Sequence, residues 1–135
     1  MAANQKILLV DDDLTLVEMY SERLKAAGYK VEVAHDGQAC LAIVKEQKPD
    51  LILLDIMMPK MNGLDVLKTL KADPSTADIP VVLLTALIQE LDKVKAITNQ
   101  AVEYYVKSET MPGALIKQIN RILSNEEDKE DSKTE

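Results

Sequence analysis

Five short apolar runs recur along the chain, Ile7–Val10, Val31–Ala34, Leu51–Leu54, Val81–Leu84 and Tyr104–Val106, and stretches with a different periodicity separate them. Runs of this length, rich in Ile, Leu and Val, read as strands buried on both faces. Between them, Val17, Tyr20, Leu24 and Ala27, and later Leu115, Ile116, Ile119, Ile122 and Leu123, return at the spacing of amphipathic helices. Gly28 stands where the first helix should stop, and Pro74 and Pro80 punctuate the loop before the fourth strand. The pattern predicts five β-strands alternating with α-helices.

Parallel neighbours need a long crossover, and such crossovers are right-handed, so the alternation implies an α/β fold with a parallel sheet. ILLV, LILL and VVLL are apolar throughout and belong at the centre of the sheet, whereas VEVA carries Glu32 and reads as an edge. The expectation is a flavodoxin-like, doubly wound (βα)5 unit with a five-stranded sheet of order 2-1-3-4-5.

With 135 residues, 47% of them hydrophobic, the chain is long enough to bury the core of one domain. Sixteen Lys and Arg against 23 Asp and Glu leave a net charge of −7. That balance argues against direct contact with nucleic acid or an anionic membrane, because phosphate binding is dominated by Lys and Arg. Six of the acids lie in Ser124–Glu135, a stretch with nothing apolar, which reads as an acidic disordered tail or truncated linker (124–135) after a domain over residues 1–123. A single cysteine, Cys40, cannot form an intramolecular bridge. The start, Met1 to Lys6, also lacks a basic region followed by an apolar run, so the expected setting is a reducing cytoplasm. No apolar run approaches the ~20 residues of a membrane helix.

In open α/β sheets the ligand site lies beyond the carboxyl ends of the strands. Asp11, Asp12 and Asp13 follow the first strand, Asp55 the third, Thr85 the fourth and Lys107 the fifth. Asp13 reads as the cap of the helix starting near Leu14. If Asp11, Asp12 and Asp55 converge to about 5 Å, each pair repels by about 3 kcal/mol at an effective dielectric near 20, a cost that a divalent cation removes. Oxygen ligands with no His or Cys nearby favour Mg²⁺, with Mn²⁺ as the alternative. Carboxylates, a metal, the Thr85 hydroxyl and the Lys107 ammonium together suit phosphoryl transfer, whose charge spreads over three equatorial oxygens. The only histidine, His35, adjoins Asp36–Gly37 in a strand-to-helix turn and reads as solvated, so no histidine-based nucleophile system can be assembled and Asp55 is the natural nucleophile. Cys40 reads as a small core residue.

The motifs KILLVDDD, PDLILLDIMMPKMNG, IPVVLLTA and EYYVK, in this order and spacing, resemble the receiver domain of bacterial two-component response regulators, as exemplified by the single-domain chemotaxis response regulator. The resemblance runs from about Lys6 to Leu123. It implies Asp55 as the phosphoacceptor. Asp12, Asp55 and the Met57 carbonyl would ligate Mg²⁺, with Asp11 acting through water. Thr85, Ala86 and Lys107 would contact the phosphoryl group, and Tyr104 matches the aromatic switch position, or else is a half-exposed edge-strand aromatic. Pro59 and Gly63 match the loop after the acceptor strand, where glycine is expected for a tight turn. The implied donor is a sensor histidine kinase or histidine phosphotransfer protein. The implied output is a protein target, or a homodimer through the face of the fourth helix, fifth strand and fifth helix.

Two departures stand out. Ser108 follows Lys107 where the family usually has a cis proline, and Gln100 stands where it commonly has glycine. Met57 and Leu87 are bulky and apolar at positions that line the path of the hydrolytic water, which implies slow self-dephosphorylation. Two other classes stay open: a degenerate receiver acting as a constitutive docking module, and an Asp-nucleophile phosphatase of the haloacid dehalogenase type, which usually needs a second Asp where this chain has Met57.

Overall fold

A strand tolerates an apolar residue at every position only when both of its faces are covered, and the central strands have this character. The computed structural model describes residues 5–56, 58, 61–85, 103–106 and 112–134, with the backbone alone at 85, 103–106, 112 and 125–134. Its strands are β1 (Lys6–Val10), β2 (Lys30–Ala34), β3 (Leu51–Asp55), β4 (Val81–Thr85) and β5 (Glu103–Val106). All pair in parallel in the order β2-β1-β3-β4-β5, as the run pattern predicts. The helices are α1 (Leu14–Ala26), α2 (Gly37–Glu46), α3 (Gly63–Ala72) and the C-terminal α4 (Pro112–Thr134). The helix expected between the fourth and fifth strands falls outside the described residues.

Side chains alternate along a strand, so each central strand feeds two cores. Leu8, Val10, Ile52, Leu54, Val81 and Leu83 pack under α2 and α3. Ile7, Leu9, Leu51, Leu53, Val82 and Leu84 pack under α1 and α4 with Val17, Tyr20, Leu24, Leu115, Ile119 and Leu123. Both helical stripes anticipated from the spacing face the sheet except for Ala27, which is exposed and ends α1 as its C-cap. Strand β2 is one edge of the sheet, half-buried over Val31–Val33, consistent with the Glu32 it carries.

Local chemistry starts and stops the helices. Asp13 caps α1, accepting from the N–H groups of Thr15 and Leu16 at 3.1 and 3.2 Å. Asp36 caps α2 through Ala39 N–H at 2.8 Å. Gly28, at φ 99°, ends α1: its N–H donates to the Lys25 carbonyl, and Tyr29 N–H donates to that of Leu24. This is the double bond pattern of a glycine-terminated helix, and the positive φ is the reason glycine is needed there.

Helix α4 differs from expectation. Its backbone stays helical to Thr134, past the last buried apolar residue, Leu123. The acidic stretch read as a disordered tail or linker thus continues the helix. After Gly113 the chain contains neither Gly nor Pro to stop it, and Glu and Lys are good helix formers.

Cys40 is fully buried on α2 and belongs to the core, and His35 is exposed, both as anticipated. Burial pushes the Cys40 thiol from 9.0 up to about 12. Below pH 9 both folded and unfolded chains hold the proton, so the thiol leaves stability unchanged. Between pH 9 and 12 only the unfolded chain sheds it, and stability falls as pH rises. A thiol-specific reagent should leave the folded chain unlabelled at neutral pH and modify it fully in denaturant. Rapid labelling of the folded chain would contradict this burial.

Candidate functional site

The parallel register brings four strand ends to one edge. Val10 pairs with Leu54, Leu54 with Leu83, Asp55 with Leu84, and Thr85 with Val106. Residues that follow β1 and end β3, β4 and β5 are therefore gathered at the carboxyl edge of the sheet.

Asp11 extends β1 by one residue, its N–H donating to the Ala34 carbonyl at 3.2 Å. Its Oδ1 accepts from Asp13 N–H at 3.0 Å, which orients the carboxylate. Because the Asp13 side chain is committed to capping α1, Asp13 supports the pocket through its backbone only. Asp55 ends β3, and the next residue, Ile56, donates its N–H to the Leu84 carbonyl at 3.0 Å. Asp11 is fully buried, Asp55 is 3% exposed and Asp12 is exposed. One carboxylate oxygen of each lies within 4.8 Å of the other two.

Two buried carboxylates at this separation repel by about 3 kcal/mol at an effective dielectric near 20. The donor set is three carboxylates, one of them solvent-facing, which fits a hard divalent cation that keeps some of its water. Among the described residues this is the one cluster able to hold a metal ion.

The sequence reading missed how the loop closes behind the pocket. Asn62 caps α3 through Asp65 N–H at 3.0 Å, and Gly63 N–H donates to the Ile56 carbonyl at 2.9 Å. A Cβ on Gly63 would sit 2.2 Å from the Asp55 carbonyl oxygen and 2.8 Å from Ile56 Cα. Close approach of α3 to the end of β3, rather than a tight turn, is what requires glycine there. The sequence signal was available: Asn directly before an apolar helical run is a capping pattern.

Thr85 and Tyr104 are placed by backbone on β4 and β5, with Tyr104 opposite Leu83; their side chains lie outside the described part. Met57, Pro59, Ala86, Leu87, Gln100, Lys107 and Ser108 fall outside the described residues.

The acidic cluster lies at the carboxyl edge of a doubly wound parallel sheet, where α/β folds of this kind place their ligand sites. Residues 7–120 match the family of response regulator receiver domains, and the chain belongs to that family. It is a receiver domain of two-component response regulators, a signalling domain. The DNA-binding response regulator MtrA of Mycolicibacterium smegmatis is 40% identical over 124 residues, covering 92% of this chain and 53% of that protein. The transcriptional regulatory protein CpxR of Klebsiella pneumoniae is 47% identical over 102 residues, covering 76% of this chain and 42% of that protein. The chain thus spans about half the length of these curated relatives.

Among solved structures, the signal receiver domain of a signal transduction histidine kinase from Syntrophus aciditrophicus superposes with a TM-score of 0.80 at 31% identity, covering 90% of this chain and 91% of that one. The chemotaxis response regulator CheY4 of Vibrio cholerae gives 0.78 at 32%, covering 87% and 98%. Among the described residues, no helix is long and apolar enough to cross a membrane.

Proposed function

We propose that this domain is a phosphoacceptor switch in which Asp55 receives a phosphoryl group from a phosphohistidine on a histidine kinase or phosphotransfer protein. The observation that supports this reading is the convergence of Asp11, Asp12 and Asp55 within 4.8 Å at the carboxyl edge of the sheet. An oxygen of Asp55 attacks phosphorus, the P–N bond breaks and the imidazole departs with its proton. Asp11, Asp12 and Asp55, with the Met57 carbonyl, would hold Mg²⁺, or Mn²⁺ in its place. The cation would neutralise charge on the phosphoryl oxygens. Asp11 is held in place by Asp13 N–H, and Ile56, directly after Asp55, is held on both sides, its N–H donating to the Leu84 carbonyl and its carbonyl accepting from Gly63 N–H. Thr85, with Ala86 beside it, and Lys107 are assigned to the remaining phosphoryl oxygens, and Tyr104 to the switch.

New contacts to the phosphoryl group favour one of two pre-existing conformations, which alters affinity for a partner. The acidic domain is unsuited to touching DNA phosphates itself. Relatives named as DNA-binding and transcriptional regulators nevertheless favour an output that ends at DNA, through a further domain or a partner protein. We take residues 1–123 as the receiver and 124–135 as its acidic extension. A cytoplasmic setting is typical of the family.

Intact-mass measurement after treatment with acetyl phosphate and Mg²⁺ tests this reading. The chain should gain one phosphoryl group, about 80 Da, and Asp55→Ala should gain none. A wild-type chain that stays unmodified would instead indicate a constitutive docking module. Sustained turnover of a small phosphoester would indicate a phosphatase.

A further inference from the structure

Asn62–Gly63 is the single Asn–Gly pair in the chain. Glycine offers no Cβ to shield its backbone nitrogen, so this dipeptide is intrinsically prone to self-modification. The Gly63 nitrogen attacks the Asn62 side-chain carbonyl carbon. An N–C bond forms, the C–Nδ2 bond breaks, and ammonia leaves with the proton from Gly63. Water then opens the cyclic imide at either carbonyl, leaving Asp or isoaspartate at position 62.

Both reacting groups are engaged in the fold. Gly63 N–H donates to the Ile56 carbonyl at 2.9 Å, and Asn62 Oδ1 accepts from Asp65 N–H at 3.0 Å. Asn62 is extended, at φ −75° and ψ 165°, while Gly63 already belongs to α3. Attack requires both hydrogen bonds to break and the loop to lift from β3.

The two products differ in consequence. Asp is as good a cap as Asn and places a negative charge at the helix N-terminus, where it is favourable. Isoaspartate inserts an extra main-chain atom between residue 62 and Gly63. Gly63 has nowhere to move, because even a Cβ there would lie 2.2 Å from the Asp55 carbonyl oxygen.

We propose that Asn62–Gly63 is a deamidation site latched by the docking of α3 onto the end of β3, and that its isoaspartate product unseats the loop behind the acidic pocket. This inference does not depend on phosphorylation. Aging the full chain in mildly alkaline buffer, with and without urea, and mapping the tryptic peptide Met61–Lys68 by mass-resolved chromatography tests it. Conversion in urea should yield both products, and the folded chain should convert at least about tenfold more slowly, as expected for a reaction gated by local opening. The isoaspartate fraction should melt about 5 °C or more below the unaged chain, whereas Asn62→Asp should melt within a degree or two of it. Equal rates with and without urea, or an isoaspartate fraction that melts like the unaged chain, would overturn the proposal.

Discussion

Asp55→Asn raises the melting midpoint of the metal-free domain by several degrees while removing its response to Mg²⁺. The carboxylate of Asp55 is 3% exposed and shares its pocket with fully buried Asp11, within 4.8 Å. Their repulsion is about 3 kcal/mol at an effective dielectric near 20, and an amide of the same shape eliminates it. Both carboxylates have further interactions, which offset part of the gain, so a net stabilisation of about 1–2 kcal/mol is expected. Added Mg²⁺ should then raise the wild-type midpoint by mass action and leave the variant nearly unmoved. Thermal melts of both proteins with and without Mg²⁺ measure the two effects together. A variant that melts below wild type, or that keeps the full Mg²⁺ increment, would remove Asp55 from the charged centre.

Gly63→Ala should cost about 3 kcal/mol, against the direction of helix propensity. Alanine is the better helix former by up to about 1 kcal/mol. Against this, its Cβ would meet the Asp55 carbonyl oxygen at 2.2 Å, Ile56 Cα at 2.8 Å and the Asp55 carbonyl carbon at 2.9 Å. All three are main-chain atoms at the end of β3 and cannot swing aside, so relief comes only by moving α3 or bending β3 at Asp55. That places the cost at the upper end of overpacking. Gly113 supplies the control: a Cβ there meets nothing within 4 Å, so Gly113→Ala should be neutral or stabilise by up to about 1 kcal/mol. Urea unfolding of the two variants decides the matter, and equal midpoints would refute the close-contact account of Gly63.

The strand order was legible because burial and sequence coincide at the sheet. ILLV, LILL and VVLL are apolar at every position, and these three runs form β1, β3 and β4, the strands inside the sheet, with both faces of these runs buried. The cap at Asp13 and the stop at Gly28 were legible for a similar reason, since both depend on bonds within a few residues. Helix α4 was misjudged beyond Leu123 because amphipathic spacing reports packing against a core. It says nothing of a polar helix that continues without one. Gly63 was assigned to the wrong cause because its neighbour in space is Asp55, eight positions earlier, and local pattern carries no trace of that approach.

By itself, the order of residues determined the alternation of elements, the parallel sheet and the list of polar residues that follow the strands. These follow from periodicity, crossover handedness and the finite length of buried runs. Only the folded chain decided which carboxylates share a pocket and that glycine 63 lies against the main chain at the end of β3. Those are contacts between segments brought together by strand register, and register is set by the packing of two cores at once.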